Sequence, residues 1–171
     1  MIKACVLTKT AEATLRLGAL FSGVLETGDI LSLDGDLGAG KTVFTKGIAE
    51  GLGIKDMISS PTFMLVMEHE NPEGLDLFHF DAYRLRDADD FYAAGLDEYF
   101  DKEGVCVVEW GHLVKDAFCP FEEKTIIISI TAENKRRNFT FFYQERKKEK
   151  MTFFLEKAKK EEKEMIEVLS C

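Results

Sequence analysis

Apolar positions along the chain change period several times, and each change marks an element. Ile2 to Thr8 alternates apolar and polar residues as a first strand does. Thr10 is suited to cap a helix, and Leu15, Ala19 and Val24, with Leu17, Leu20 and Phe21, then fall at helical spacing. They predict a helix from about Ala11 to Glu26. Asp29 to Leu33 reads as a short buried strand and Val43 to Leu52 as a helix closed by Gly51 and Gly53. Phe63 to Glu68 and Leu75 to Asp81 read as a hairpin around the turn signal Asn71-Pro72-Glu73-Gly74. Asp87 to Leu96 is a charged, partly amphipathic helix with Gly95 near its end. Val105 to Val108 is a continuous apolar run ending in Glu109, as in a strand buried on both faces. Thr125 to Thr131 and Asn138 to Tyr143 form a second β-rich pair around Glu133-Asn134-Lys135-Arg136. Met151 to Leu169 is rich in Lys and Glu with few apolar residues, and reads as a solvated helix. This order predicts an α/β fold with a mixed, mostly parallel central sheet over residues 1–143, followed by a charged helical extension over 144–171.

Composition narrows the setting. A chain of 171 residues with 46% hydrophobic residues suits one core. No apolar run is long enough to cross a membrane, and the first residues turn polar too soon for a secretory signal. Cys5, Cys106, Cys119 and Cys171 are scattered, form no CxxC pair and lack spaced His partners, which argues against zinc and for a reducing cytoplasm. The net charge is −9. Of 22 Lys and Arg, 8 fall in 144–171, and of 31 Asp and Glu, 7 do, so residues 1–143 carry net −10. Such a body repels phosphate backbones, so any work on RNA is expected to pass through a partner.

The predicted strand at Asp29–Leu33 leads into Gly35-Asp36-Leu37-Gly38-Ala39-Gly40-Lys41-Thr42, which has the form G-x-x-x-x-G-K-[ST]. This is the phosphate-binding P-loop, expected here between a strand and a helix. Its glycines let backbone N–H groups curl around a triphosphate. Lys41 supplies charge for the β- and γ-phosphates, the Thr42 hydroxyl can ligate Mg²⁺, and the following helix would aim its positive end at the phosphates. The fold expected is therefore a P-loop NTPase-like three-layer domain that takes ATP and Mg²⁺.

Such a site needs an acid at the end of an apolar strand to hold the metal. Asp81 and Glu109 both qualify by position. Glu109 ends the more apolar strand and is the better Mg²⁺ partner by that argument, leaving Asp81 either to orient water or to back up the metal. Ser60 and Thr62, around Pro61, suit a γ-phosphate-sensing loop as well as a plain proline turn. Tyr83 and Arg84 follow Asp81, and Arg84 is placed either to stabilise transferring charge or simply on the surface. Trp110 is open to three readings: core, partner contact or lid. His79 reads as packed among apolar neighbours, and His69 and His112 as facing solvent.

Gly35 to Thr42, Ser60-Pro-Thr-Phe63, His79-Phe-Asp-Ala-Tyr-Arg-Leu85 and Val108-Glu-Trp110, in this order and spacing, together resemble the bacterial TsaE (YjeE-type) family over roughly residues 8 to 143. Ala13-Thr14-Leu15 and Leu17-Gly18 also look like that family's first helix. The resemblance implies an ATPase supporting threonylcarbamoyl modification of adenosine 37 in tRNAs reading ANN codons. It implies action through the transferase subunit and its dimer mate, without transfer of the group by this chain. By position, Lys41 would bind phosphate with Asp36, Gly38, Ala39 and Gly40, and Thr42 and Glu109 would hold Mg²⁺. Asp81 would serve hydrolysis, Ser60-Pro61-Thr62 would switch, and Arg136 would lie near the nucleotide. Gly111 stands where the family's proline usually follows Glu-Trp. The alternatives are a small-molecule kinase, which would want an arginine-bearing lid, and a guanine-nucleotide switch, for which Asn134-Lys135-Arg136-Arg137 lacks the needed acid.

Overall fold

The chain runs β1 (Ile2–Thr8), α1 (Ala11–Phe21), β2 (Ile30–Asp34), α2 (Lys41–Leu52), β3 (Val66–His69), β4 (Leu77–Asp81), α3 (Ala88–Ala93), β5 (Val105–Glu109), β6 (Thr125–Glu133), β7 (Arg136–Tyr143), α4 (Lys148–Ala158) and β8 (Ile166–Leu169) in this computed structural model, which describes residues 1–161 and 165–170. Strands of the described residues form one sheet in the order β3-β4-β5-β2-β6-β7-β1-β8. The central four, β4, β5, β2 and β6, run parallel, and antiparallel strands flank them on both sides. Burial explains the order. All five residues of β5 and the first four of β2 are buried, as a strand covered on both faces requires. Toward the flank, β7 alternates buried and half-buried positions from Phe139 to Tyr143.

Two aromatic clusters make the three layers. Phe21, Phe44, Phe139, Phe141 and Phe154 fill the face covered by α1, α2 and α4. Phe78, Phe80, Phe91, Phe100 and Phe118 fill the other, under α3 and the 3₁₀ stretches Leu96–Asp101 and Gly111–Lys124. α1 and α2 touch almost backbone to backbone. A Cβ on Gly47 would sit 2.0 Å from the Leu15 carbonyl oxygen, and one on Gly18 would sit 2.3 Å from that of Phe44. This contact fixes α2, whose first turn carries the P-loop lysine.

Several boundaries differ from the sequence reading, each for a visible reason. α1 ends at Phe21, with Ser22–Val24 tightening into a 3₁₀ turn, because the chain must reverse to enter β2. Gly51 lies inside α2, where a Cβ would meet the Ser22 hydroxyl oxygen at 2.3 Å; Gly53, at φ +84°, is the residue that ends the helix. The strand expected from Phe63 begins only at Val66, since Pro61–Leu65 curls into a turn with Leu65 at φ +63°. Asn134 and Lys135, both at positive φ, form the tight turn between the paired residues Glu133 and Arg136. His69 is buried rather than solvent-facing, with Nδ1 3.1 Å from Asp56.

The charged tail is the largest departure. Its helix stops at Ala158, and Ile166–Leu169 joins the sheet as β8 beside β1. Nor is the helix wholly solvated, since Met151, Phe154 and Ala158 are buried in the main core. Met151, Phe154, Leu155 and Ala158 are spaced to fall on one face, while Phe153 stays exposed.

Lys147, just before α4, is itself buried. Its ammonium donates to the Val24 carbonyl at 3.1 Å, to Glu26 at 2.7 Å and to the buried Asp29 carboxylate, which also accepts from Arg146 at 2.6 Å. The Lys147 hydrogen bond, with that of Lys150, lowers the Glu26 carboxyl from 4.5 to about 2. Because the folded value lies below the ordinary one, this contribution is complete above about pH 4.5 and is lost as pH falls toward 2. Lys147→Ala should cost about 3 kcal/mol at neutral pH, because it removes the buried cation from Asp29 and leaves that charge to the partly exposed Arg146. It should also flatten the fall in stability between those pH values. Denaturant melts across the acid range measure both, and a variant as stable and as acid-sensitive as the parent would contradict the assignment.

Candidate nucleotide-binding site

β2 ends at Asp34, and Gly35 to Gly40 turn the chain into α2. Gly38 (φ +77°) and Gly40 (φ +108°) hold left-handed conformations that side-chain-bearing residues rarely adopt, and a Cβ at Gly38 would project into open space. The first N–H groups of α2 have no helical partner and point out of its positive end. Asp36 and Leu37 are exposed on the loop, and Ala39 is buried beneath it.

Lys41 is not solvent-facing. Only 5% exposed, it folds back so that Nζ donates to the carbonyls of Gly35 (2.6 Å) and Asp36 (3.0 Å). The Trp110 indole covers it, with Nζ 3.8 Å from the ring centre, a cation–π contact. Burial pulls the lysine below its ordinary pKa, against the opposing pull of Glu109, Asp81, Asp36 and Asp34. Trp110 holds φ +62°, and Tyr83 packs against its ring at 5.0 Å.

The parallel pairing of β4 and β5 sets Asp81 directly beside Glu109. Glu109, 3% exposed, accepts from the Thr42 hydroxyl at 2.9 Å (Oε1) and 3.1 Å (Oε2). Oε1 also lies 2.8 Å from Nε2 of His79, a fully buried residue on β4. Asp81 serves the opposite wall. Its Oδ2 accepts from Ser60 (2.9 Å) and Thr62 (2.8 Å), and its Oδ1 from the Tyr83 N–H (3.0 Å). The Ser60 and Thr62 hydroxyls are themselves 2.9 Å apart. These bonds curl the Pro61 loop and leave Phe63 outside, where Arg84 stacks on it at 4.6 Å. A cleft of about 450 Å³ results, lined by P-loop residues with Ser60, Thr62, Asp81, Tyr83, Glu109 and Trp110.

Two sequence readings change here, and a third residue finds its reason. Arg136 does not reach the loop. It points to the other side of β7 from Arg137, whose guanidinium donates to the Gly38 carbonyl at 3.4 Å and lies beside Gly40. His79 is more than packing, because it grips Glu109; the signal available in sequence was a His two residues before Asp81 on the same strand face. Gly111 is explained by its neighbour, since a Cβ there would meet the Ser32 hydroxyl oxygen at 2.1 Å.

The donors present suit a hard cation and a polyphosphate. Thr42 and Glu109 offer oxygen, as Mg²⁺ requires, and the glycine loop leaves room for phosphate against free N–H groups. Among the described residues no group of three or more His, Cys, Asp or Glu is disposed to hold a metal, so a bound ion would take its other ligands from water and phosphate.

A glycine-rich phosphate loop at the carboxyl end of a central parallel strand, facing an acid from each of the next two strands, defines a P-loop α/β protein. Residues 8–139 match the family model described as Threonylcarbamoyl adenosine biosynthesis protein TsaE, and the chain belongs to that family. It is 45% identical over 129 residues to the Bacillus subtilis tRNA threonylcarbamoyladenosine biosynthesis protein TsaE, covering 75% of this chain and 79% of the relative. It is 41% identical to the Treponema pallidum protein of that name, over 77% of this chain and 95% of the other. A crystal structure of Bacillus subtilis YdiB superposes with a TM-score of 0.74 at 35% identity, covering 91% of this chain and 96% of that one. The family is one of tRNA threonylcarbamoyladenosine biosynthesis.

The Ser32–Gly111 contact yields a stability test. Gly111→Ala should cost about 1–3 kcal/mol through overpacking. Combined with Ser32→Gly, it should cost less than the sum of the two single changes, because the clash partner is gone. Strictly additive melting data would show that the two residues do not compete for space.

Proposed function

We propose that the protein is a Mg²⁺-dependent ATP hydrolase that supports threonylcarbamoyl modification of adenosine 37 in tRNAs reading ANN codons. It acts through the transferase subunit and its dimer mate and does not transfer the group itself. The observation that carries the reading is the Thr42–Glu109 pair set across one cleft from Asp81. Mg²⁺, when bound, supplies charge neutralisation at the β- and γ-phosphates. Thr42 and Glu109 would hold it. Lys41 would leave the Gly35 and Asp36 carbonyls for phosphate oxygens, which requires the Trp110 indole to move aside. Asp81 would orient water once Ser60 and Thr62 turn their hydroxyls toward the γ-phosphate. That exchange makes residues 60–63 a loop whose position depends on the nucleotide.

Three features support work through protein partners. Residues 1–143 carry net −10, unlike surfaces that track phosphate backbones. The cleft accounts for the distinctive motifs and leaves none for threonylcarbamoyl transfer. Leu37, Phe63, Met64 and Tyr83 are exposed large apolar side chains on the P-loop, on the Pro61 loop and just after Asp81, as a protein-docking surface would have. No helix among the described residues is long and apolar enough to cross a membrane, and the reading places the protein in the cytoplasm.

Lys41→Ala should lower ATP hydrolysis by about 100-fold or more, the size of effect seen when one pre-set electrostatic group is lost. Glu109→Ala should weaken the Mg²⁺ dependence of nucleotide binding, whereas Asp81→Ala should mainly slow turnover. Phosphate release and Mg²⁺ titrations distinguish the three. Undiminished turnover in the lysine variant would end the reading, and interchanged behaviour of the two acids would reverse their roles.

Filter binding with tRNA at moderate salt, with and without the transferase subunits, tests the dependence on partners. Retention of tRNA should need those subunits. Tight binding by this chain alone, or modification without them, would refute it.

A further inference from the structure

His79 has no exposed surface, so it cannot touch a nucleotide, yet it reaches Glu109 from the core side. Its ring faces two demands. Nε2 lies 2.8 Å from Oε1 of Glu109, and Nδ1 is buried with no hydrogen-bond partner among the described residues. A proton placed on Nδ1 alone would leave a buried N–H unsatisfied and aim the Nε2 lone pair at a carboxylate oxygen. Nε2 therefore carries a proton and donates it to Glu109. The carboxylate is thus held from both sides, by His79 on the core side and by Thr42 on the cleft side. The three residues come from three different elements, β4, β5 and the first turn of α2.

We infer that His79 is a positioning residue that presets the Glu109 carboxylate for the metal, an inference resting on the reading that Glu109 and Thr42 hold Mg²⁺. The Thr42 hydroxyl is a weak and rotatable anchor, and a metal drawing on the Thr42 oxygen competes for the same group. The imidazole is packed in the sheet face and does not change partner. It keeps Glu109 turned toward Thr42 whether or not the cleft is filled, and it gives a buried carboxylate a hydrogen-bond donor on its core side.

The experiment is a Mg²⁺ titration of the binding of a fluorescent, non-hydrolysable ATP analogue to the full chain, with binding in EDTA as the metal-free reference and thermal melting as the fold control. H79L should raise half-saturating Mg²⁺ about tenfold or more, the effect of losing an outer hydrogen bond to a metal ligand. Its metal-free affinity should stay within about twofold of the parent. H79Q, whose terminal amide can reach Oε1, should recover most of the loss, and the shorter H79N should not. If H79L does not fold, the H79Q and H79N pair decides the matter, and equal Mg²⁺ dependence in the two overturns the inference. So does a parent-like Mg²⁺ requirement in H79L, or a matching loss of metal-free binding, which would mean a collapsed cleft. E109Q separates the two levels. If it leaves half-saturating Mg²⁺ unchanged, the metal assignment fails and the inference falls with it. If it raises the value while H79L does not, only the role of His79 fails.

Discussion

A buried carboxylate is the constraint around which the cleft is built. Glu109 sits at the end of a strand covered on both faces, where an unpartnered charge would be costly. The fold answers with donors from two other elements, the Thr42 hydroxyl and the His79 imidazole. Each donor is in reach only because its own element is fixed. β4 lies parallel to β5 in a register that puts Asp81 beside Glu109, and β2 delivers the P-loop from the other side. A shift of one residue in either pairing would turn the side chains to the wrong face and break the site.

The placement of α2 is just as strict. Its first turn carries Lys41 and Thr42, and its middle is held against α1 by glycine contacts that leave no space for a side chain. At the far end of β2, the Lys147 ammonium and Asp29 pin the start of that strand to the segment before α4. The strand that feeds the phosphate loop is thus gripped at both ends. One grip lies within the stretch matched by the family, and the other draws on residues beyond it.

The cleft in this state is occupied by its own side chains. Lys41 rests on two loop carbonyls beneath Trp110, and Ser60 and Thr62 rest on Asp81. All are groups that a triphosphate would draw toward itself, so ligand binding exchanges internal hydrogen bonds for new ones. On the proposed reading, that exchange is what would move the Pro61 loop with the nucleotide.

Much of this was legible in the chain because it depends on local chemistry. The glycine spacing of 35–42, the apolar run ending in Glu109 and the acid ending Leu77–Phe80 each carry their meaning within a few residues. They were enough to specify the α/β class, the glycine-rich turn between a strand and a helix, and the two strands that end in an acid. What the sequence could not settle is whatever rests on the meeting of distant segments. Whether Arg136 or Arg137 faces the loop depends on the register of β7, a matter of one residue in a period of two. That His79 serves Glu109, that Gly111 is required by Ser32, and that Lys41 hides under Trp110 follow only once three strands are side by side. The tail read as polar because its apolar residues are few; their burial shows only when α4 lies on the core and β8 on the free edge of β1. Local propensity acts through neighbours in sequence, whereas a buried charge or a missing Cβ is answered by neighbours in space.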